Sequence, residues 1–131
     1  MIEQRKEYRN KEERNRSGLT KDKFIRLAKY GSFRYEIINE KVWLYYSDIR
    51  HKMDIPDFSV IKKIDRMNVE RRSIETPLGQ ILAYLVNEAG MREVIAYSKR
   101  KIYEKEDFMN FVSYKIKIIE KEIKEYGKNN F

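Results

Sequence analysis

The stretch Phe33–Tyr46, FRYEIINEKVWLYY, decides how the fold is first interpreted. Its first five residues alternate apolar and polar side chains, as in a β-strand with one buried face. Asn39-Glu40-Lys41 then separates them from a second run rich in aromatic and branched residues. The stretch therefore predicts an antiparallel β-hairpin. Its turn lacks the favoured Asn-Gly pair, which leaves the strand register open.

On either side of this hairpin, apolar residues recur at helical spacing. Residues 21–30 predict a helix with Thr20 as its N-cap and Gly31 as its terminator. A short helix is predicted over about 47–53, directly after the hairpin. These two segments would place a helix at each end of the two strands.

Two longer segments also predict helices. In 57–68 the apolar residues recur at every third position, which favours one buried stripe. The signal is strongest in 76–89, where Thr76 suits an N-cap, Pro77 suits the first turn and Gly90 suits the stop. Residues 76–89 are therefore predicted to form the central core helix.

The last third of the chain contains one ambiguous and one clear pattern. Residues 92–105 fit either a second hairpin with a basic tip or a continuing helix, and we favour the hairpin. Residues 106–126 show apolar side chains three and four positions apart, which predicts an amphipathic helix of about 30 Å. The predicted fold is α+β and mainly α-helical, with one or two β-hairpins and a long C-terminal amphipathic helix.

Length and composition favour one small domain. The chain has 131 residues, of which 41% are hydrophobic and 38% are charged. Residues 1–18 form a densely charged arm or helix, either exposed to solvent or ordered by a nucleic acid or another partner. Residues 19–131 form the predicted globular domain. No apolar run suits a membrane span or a signal peptide, so we expect a cytoplasmic location and no membrane contact.

The residue inventory excludes several kinds of chemistry. The chain has no Cys and one His, which removes thiol nucleophiles, Cys-based zinc sites and sites with two imidazoles. His51 is expected to be a surface residue, although Asp48 or Asp54 would be the acceptor that orients it in a catalytic role. We therefore expect no catalytic residue, metal or cofactor and no enzymatic activity. A metal-free ribonuclease built from Lys, Arg and Tyr remains an open alternative.

Basic charge is concentrated in two blocks. The formal net charge is +8, and 19–34 has five basic residues against one acidic residue, while 91–105 has five against two. Cations along one face release counterions from a phosphate backbone, and nearby aromatic rings stack on bases. The sequence therefore predicts a non-enzymatic regulatory protein that binds DNA or RNA. The predicted contacts are Lys21, Lys23, Arg26, Lys29, Arg34, Lys99, Arg100 and Lys101.

The alternative prediction is an interaction protein. The C-terminal helix has more apolar surface than a small domain easily covers, which favours homodimerisation through 106–126 or docking on a nucleic-acid-handling protein. Abundant Lys, Ile, Asn, Tyr and Glu suggest an AT-rich genome and a small phage- or mobile-element-type protein that modulates a host protein or nucleoprotein complex. The predicted protein contacts are Phe108, Phe111, Ile116, Ile119, Ile123 and Tyr126.

Overall fold

A computed structural model describes residues 23–129 of the chain. Their centre is a five-stranded antiparallel sheet with the order β1-β2-β3-β5-β4. The strands are β1 (Phe24–Leu27), β2 (Gly31–Ile38), β3 (Lys41–Tyr45), β4 (Val69–Thr76) and β5 (Gly79–Val86). The α-helices are α1 (Tyr46–Lys52), α2 (Glu88–Ile95) and α3 (Ile102–Asn129), and the 3₁₀ helices are Phe58–Lys62 and Arg66–Asn68.

The hairpin predicted in Phe33–Tyr46 is confirmed. Strands β2 and β3 pair in antiparallel fashion, with Ile37 opposite Val42. Asn39 and Glu40 form the two-residue turn with φ values of 53° and 65°. Both signs are those of a type I′ turn, which matches the twist of paired strands. Glutamate is an unusual residue at such a φ, which explains why the sequence left the register open.

The main core lies between one face of the sheet and the helices. Phe108 of α3 is buried, and its ring centroid lies 5.1 Å from that of Phe33 and 5.6 Å from that of Tyr30. Val112 and Ile116 follow at four-residue steps and are also buried. The predicted long C-terminal helix is therefore confirmed, and it begins four residues earlier than predicted.

The prediction that the fold is mainly α-helical is wrong, and the segment 76–89 shows why. Thr76 ends β4, and its hydroxyl accepts a hydrogen bond from the Leu78 N–H at 3.2 Å, within a hairpin turn. The adjacent residues Leu85 and Val86 are both 0% exposed, because this end of β5 is buried on both faces. Such strands have nearly continuous apolar runs, and those runs also fit helical spacing.

Gly90 is also not a helix stop. It lies in the first turn of α2, where its N–H donates to Oδ1 of Asn87, the N-cap, at 2.8 Å. A Cβ atom at this position would lie 2.6 Å from the Asn68 carbonyl oxygen. Glycine is required here because two backbone segments approach each other closely.

The predicted helix over 21–30 is also wrong. Ile25 and Leu27 are buried while Arg26 is exposed, which is the alternation of the short strand β1. Gly31 has a φ of +93° and opens β2 after the turn. A four-residue strand is too short for its alternation to compete with a helical pattern. The predicted cap Thr20 lies outside the described residues.

Two more helical or hairpin predictions need correction. The helix predicted over 57–68 is replaced by two short 3₁₀ helices, whose three residues per turn suit an apolar repeat of three. The hairpin predicted over 92–105 is wrong, since α2 and α3 occupy this segment with a short connection between them. Val94 and Ile95 are both buried, so this run does not alternate as a strand would. The short helix predicted over 47–53 is confirmed as α1.

The β4–β5 hairpin extends beyond the rest of the sheet. β5 pairs with β3 only through Val86 and Leu85, whereas all eight residues of β4 pair with β5. The tip residue Leu78 is 99% exposed. At the base of the hairpin, a smaller cluster lies on the sheet face opposite the main core and consists of Tyr45, Ala83 and Leu85 with Ile38, Trp43 and Ile74.

The described residues give one finding on membranes. Within residues 23–129, no helix combines the length and the apolar composition needed to cross a bilayer. The charged arm predicted for 1–18 lies outside the described residues.

Candidate nucleic-acid interface

The structure distributes the basic residues of 19–34 over strands and turns instead of along one helix face. Lys23 pairs with Glu36 at 3.7 Å, and Lys29 pairs with Asp107 at 3.5 Å. Arg26 is exposed and lies over its neighbour Phe24, with 5.0 Å between the guanidinium carbon and the ring centroid. Lys21 lies outside the described residues. These positions do not form one continuous cationic surface.

Arg34 has a structural role. Its Nε and Nη2 atoms donate to the two carboxylate oxygens of Asp48 at 3.0 and 2.8 Å, and its backbone N–H donates to the same carboxylate at 2.8 Å. The side-chain hydrogen bonds to Asp48 raise the pKa of the Arg34 guanidinium. Its guanidinium carbon also lies 4.4 Å from the centroid of the Tyr45 ring. Because this cation is already engaged on two sides, it offers little to a phosphate.

The predicted basic patch at 98–101 lies in the connection between α2 and α3. Arg100 lies 3.1 Å from an Asp54 oxygen through Nε and 3.7 Å from a Glu104 oxygen through Nη1. Lys101 donates its backbone N–H to Glu104, and its side chain is exposed. Lys99 is also exposed, and its backbone N–H donates to the Asp54 carbonyl at 2.9 Å.

Lys99 shares an open groove with two basic residues that were not predicted as contacts, Arg50 and His51. The volume of the groove is about 520 Å³. The full lining is Arg50, His51, Asp54, Ile55, Pro56 and Lys99. The Arg50-His51-Lys52 run in the sequence is the signal that would have pointed to this site, but its charges lie outside the two most basic blocks.

The end of α1 positions these side chains. Arg50 and His51 lie in its last turn, and the chain then reverses at Asp54, which has a φ of +54°. Met53 and Ile55 on either side are 0% and 2% exposed, so they anchor the loop in the core. The loop is also bound to the connection that carries Lys99. The wall of the groove is therefore part of the packed structure.

The groove is electropositive because its cations lack carboxylate partners. Within residues 23–129, neither Arg50 nor Lys99 forms an ion pair. Arg50 donates from Nη2 to the Pro56 carbonyl at 3.1 Å and lies over the Phe58 ring at 5.8 Å. Among the described lining residues, Asp54 is the one acid, and its carboxylate is paired with Arg100.

A second groove lies along the 3₁₀ helices. Its volume is about 360 Å³, and its floor includes Ile61 and Ile64. Three basic residues, Lys62, Arg66 and Arg71, line its rim. In the same segment, Lys63 lies 5.5 Å from the centroid of the Tyr97 ring, which is 45% exposed.

Among the described residues, neither acid expected to orient His51 in a catalytic role is free to do so. The two candidate acceptors are engaged elsewhere, Asp48 by Arg34 and Asp54 by Arg100. Within the described residues, no group of three or more His, Cys, Asp or Glu side chains is arranged to hold a metal ion. In this geometry His51 can provide a hydrogen bond or, when protonated, a charge.

The predicted protein contacts of α3 divide between core and surface. Phe108 and Ile116 are 1% and 2% exposed, and Ile119 packs against the core. Ile123 is half-buried, whereas Phe111 and Tyr126 are 46% and 52% exposed. Much of the predicted stripe is therefore internal, because the sheet packs against it.

Comparisons with known proteins assign no family. No protein-family model, curated protein or solved structure matches this chain. Function is therefore inferred from the residues of the groove themselves.

Proposed function

We propose that this chain is a non-enzymatic, cytoplasmic nucleic-acid-binding protein whose groove, lined by Arg50, His51 and Lys99, contacts phosphates. One observation carries the proposal: the cations share a groove whose acid, Asp54, is already paired with Arg100 at 3.1 Å. A phosphate entering the groove meets cations with no carboxylate to displace. DNA and RNA share this backbone chemistry.

The residue types suit phosphate recognition. A guanidinium presents planar donors to two phosphate oxygens, and an ammonium adds a compact charge. Contact of Arg50 with the Phe58 ring limits the number of conformations that its side chain can adopt. The exposed Tyr97 ring, two residues from Lys99, supports stacking of an unpaired base.

The test compares two double variants that remove the same charge. R50Q/K99Q removes the groove cations, and K121Q/K124Q removes two exposed lysines from the far end of α3, about 30 Å along the helix from Ile102. Fluorescence anisotropy measures the affinity for a labelled single-stranded oligonucleotide, of DNA and of RNA, between about 50 and 200 mM salt. We expect R50Q/K99Q to bind at least tenfold more weakly. The slope of the logarithm of its binding constant against the logarithm of the salt concentration should be shallower by about 1.5.

Further measurements separate groove binding from its alternatives. R50K/K99R retains both charges and is expected to retain most of the affinity, and thermal unfolding shows whether each variant is folded. Equal losses of affinity in R50Q/K99Q and K121Q/K124Q would mean that binding depends on the overall charge of the protein. That result would overturn the assignment of the binding site to the groove. Absence of wild-type binding at 50 mM salt would overturn the function itself, and cleavage of the labelled RNA would instead favour the ribonuclease.

The second candidate function is a protein-binding regulator of phage or mobile-element type. The observation that favours it is an exposed stripe on α3, where Phe111, Tyr114 and Ile118 are 46%, 62% and 38% exposed. Their spacing of three and four residues places them on one helix face, which suits a partner helix. A complex with a host nucleic-acid enzyme that survives nuclease and about 0.5 M salt, and that F111A/Y114A abolishes, would support this function.

A further inference from the structure

Strand β4 forms one edge of the sheet, and β1 forms the other. Strand β4 lies last in the strand order and pairs with β5 on one side. Arg71, Arg72 and Ser73 in its middle are exposed. An exposed edge presents unpaired N–H and C=O groups that can bind another strand.

The turn determines which backbone groups are available at this edge. Pro77 and Leu78 form a two-residue connection, so Thr76 opposite Gly79 is the closing hydrogen-bonded pair. Alternate residues of a strand direct both backbone groups to the same side. The even-numbered residues of β4 therefore bond to β5, and Arg71, Ser73 and Glu75 direct their N–H and C=O groups outward.

The side chains of β4 complement a second copy of the same strand in one register. When two antiparallel copies place Ser73 opposite Ser73, Arg71 lies opposite Glu75 of the second copy, and the reverse pair forms by symmetry. Opposite charges in such cross-strand positions stabilise pairing. Arg71 has no ion pair within the described residues, so it is available for this contact.

The other face of the strand is compatible with the same register. Ile74 packs against the cluster of Tyr45, Ala83 and Leu85, and its cross-strand neighbour Ile81 is 47% exposed. With Ser73 on the two-fold axis, the two copies of Ile74 become diagonal neighbours at about 7–8 Å. Each copy would then cover part of the half-buried Ile74 side chain of the other.

Neighbouring registers are less favourable. A shift of two residues in one direction places Arg72 opposite Arg72 of the second copy, where like charges repel. The same shift in the other direction places Ile74 opposite Ile74, but it also places Arg71 opposite Pro77, next to the turn, and removes both charge pairs. Charged residues commonly protect sheet edges from pairing, and here they leave one complementary register.

We propose that β4 pairs in antiparallel fashion with β4 of a second copy of this chain, with Ser73 at the two-fold axis. The pairing forms about six main-chain hydrogen bonds and joins two five-stranded sheets into one. No residue of β4 lines the groove that contains Arg50 and Lys99, so the pairing holds whether or not the groove binds nucleic acid. The partner is this same chain because the charge pattern is self-complementary.

The first test removes one outward N–H group. S73P blocks pairing at the edge but leaves the bonds to β5, because an edge strand tolerates proline where its N–H faces solvent. S73A is the matched control, since it loses the Ser73 hydroxyl contact with Gln80 but keeps the N–H. Sedimentation velocity at protein concentrations from about 5 to 200 µM should show dimers for wild type and S73A. The dimer dissociation constant of S73P should be at least tenfold larger.

The second test reverses charges. R71E and E75R each place like charges opposite one another and should weaken the dimer at least tenfold. R71E/E75R restores both pairs in exchanged positions and should restore dimerisation. Circular dichroism confirms that each variant is folded.

Three outcomes would overturn the pairing. A wild-type chain that stays monomeric at 200 µM shows that this edge does not bind a second copy. A dimer that S73P leaves intact uses another surface, such as the contact predicted through 106–126. Failure of R71E/E75R to restore the dimer excludes the register centred on Ser73.

Discussion

Arg34 and Arg50 are two half-buried arginines with opposite roles. Each lies over an aromatic ring, at 4.4 Å from the Tyr45 centroid and 5.8 Å from the Phe58 centroid, respectively. Arg34 is bound by the Asp48 carboxylate, whereas the partner of Arg50 is the Pro56 backbone carbonyl. Both contribute equally to the net charge of +8, yet only Arg50 is available to an external anion. Accessible charge therefore depends on the position of each carboxylate.

The largest expected effect comes from removing Asp48. D48A leaves the half-buried Arg34 without its carboxylate and leaves a backbone N–H without its acceptor. We expect a loss of about 2–3 kcal/mol in the free energy of unfolding, because unsatisfied groups retain the cost of their burial. Urea denaturation measures the loss. R50Q is the comparison and should cost less than about 1 kcal/mol; equal losses would contradict the different roles of the two arginines.

A smaller effect on the free energy of unfolding is expected at alkaline pH from Tyr45, the ring that Arg34 covers. Burial, followed by the hydrogen bond from its hydroxyl to Glu36 at 2.7 Å, raises the pKa of Tyr45 well above its usual range. Above pH of about 10 the unfolded chain releases this proton while the folded chain keeps it. The free energy of unfolding should therefore fall as the pH rises, by about 1 kcal/mol per unit from this group.

Urea unfolding between pH 9 and 11 measures this slope. Y45F should make it shallower, whereas K121Q, at an exposed position of α3, should leave it unchanged. Tyr30, Tyr35 and Tyr46 also have raised pKa values, so Y45F should remove only part of the slope. A slope that Y45F does not change would contradict the role of this hydroxyl.

The smallest expected effect is on oligonucleotide binding by the groove that contains Arg50. D54N removes the acidic lining residue and one of the two carboxylates paired with Arg100, so oligonucleotide affinity at low salt should rise about threefold. Asparagine tolerates the φ of +54° at this position, and an exposed pair contributes less than about 1 kcal/mol, so the fold should be retained.

E125Q is the matched control, because it removes one exposed acid about 35 Å along α3 from Ile102. It should change the affinity much less than D54N does. An equal gain in both variants would show that net charge, and not the groove, controls binding.

The sequence patterns that predicted structure correctly are those that depend on contacts between residues close together in the chain. The Phe33–Tyr46 hairpin has alternation on both strands, and α3 has apolar positions over many turns. Each pattern continues long enough for one period to dominate. Lys99 was predicted as a contact, but the partner that makes it part of a groove, Arg50, lies 49 positions away in the sequence.

The segments that failed are those where two periods fit the same residues. Ile81, Leu82 and Leu85 suit a helical stripe, but pairing of β5 with β4, and of Leu85 with β3 as well, determines their structure. Residues 57–68 have a repeat of three, which the 3₁₀ helices use. Neither outcome follows from local preference, because partners distant in sequence decide it.

The amino-acid sequence by itself determined the β2–β3 hairpin, the long C-terminal helix and the basic charge of the chain. The tertiary structure decided that 69–86 forms a hairpin with a free edge and which cations keep their charge accessible. The physical reason is distance. Periodicity acts between neighbouring residues, whereas strand pairing and ion pairing join residues that only folding brings together, such as Arg34 with Asp48 and Arg50 with Lys99.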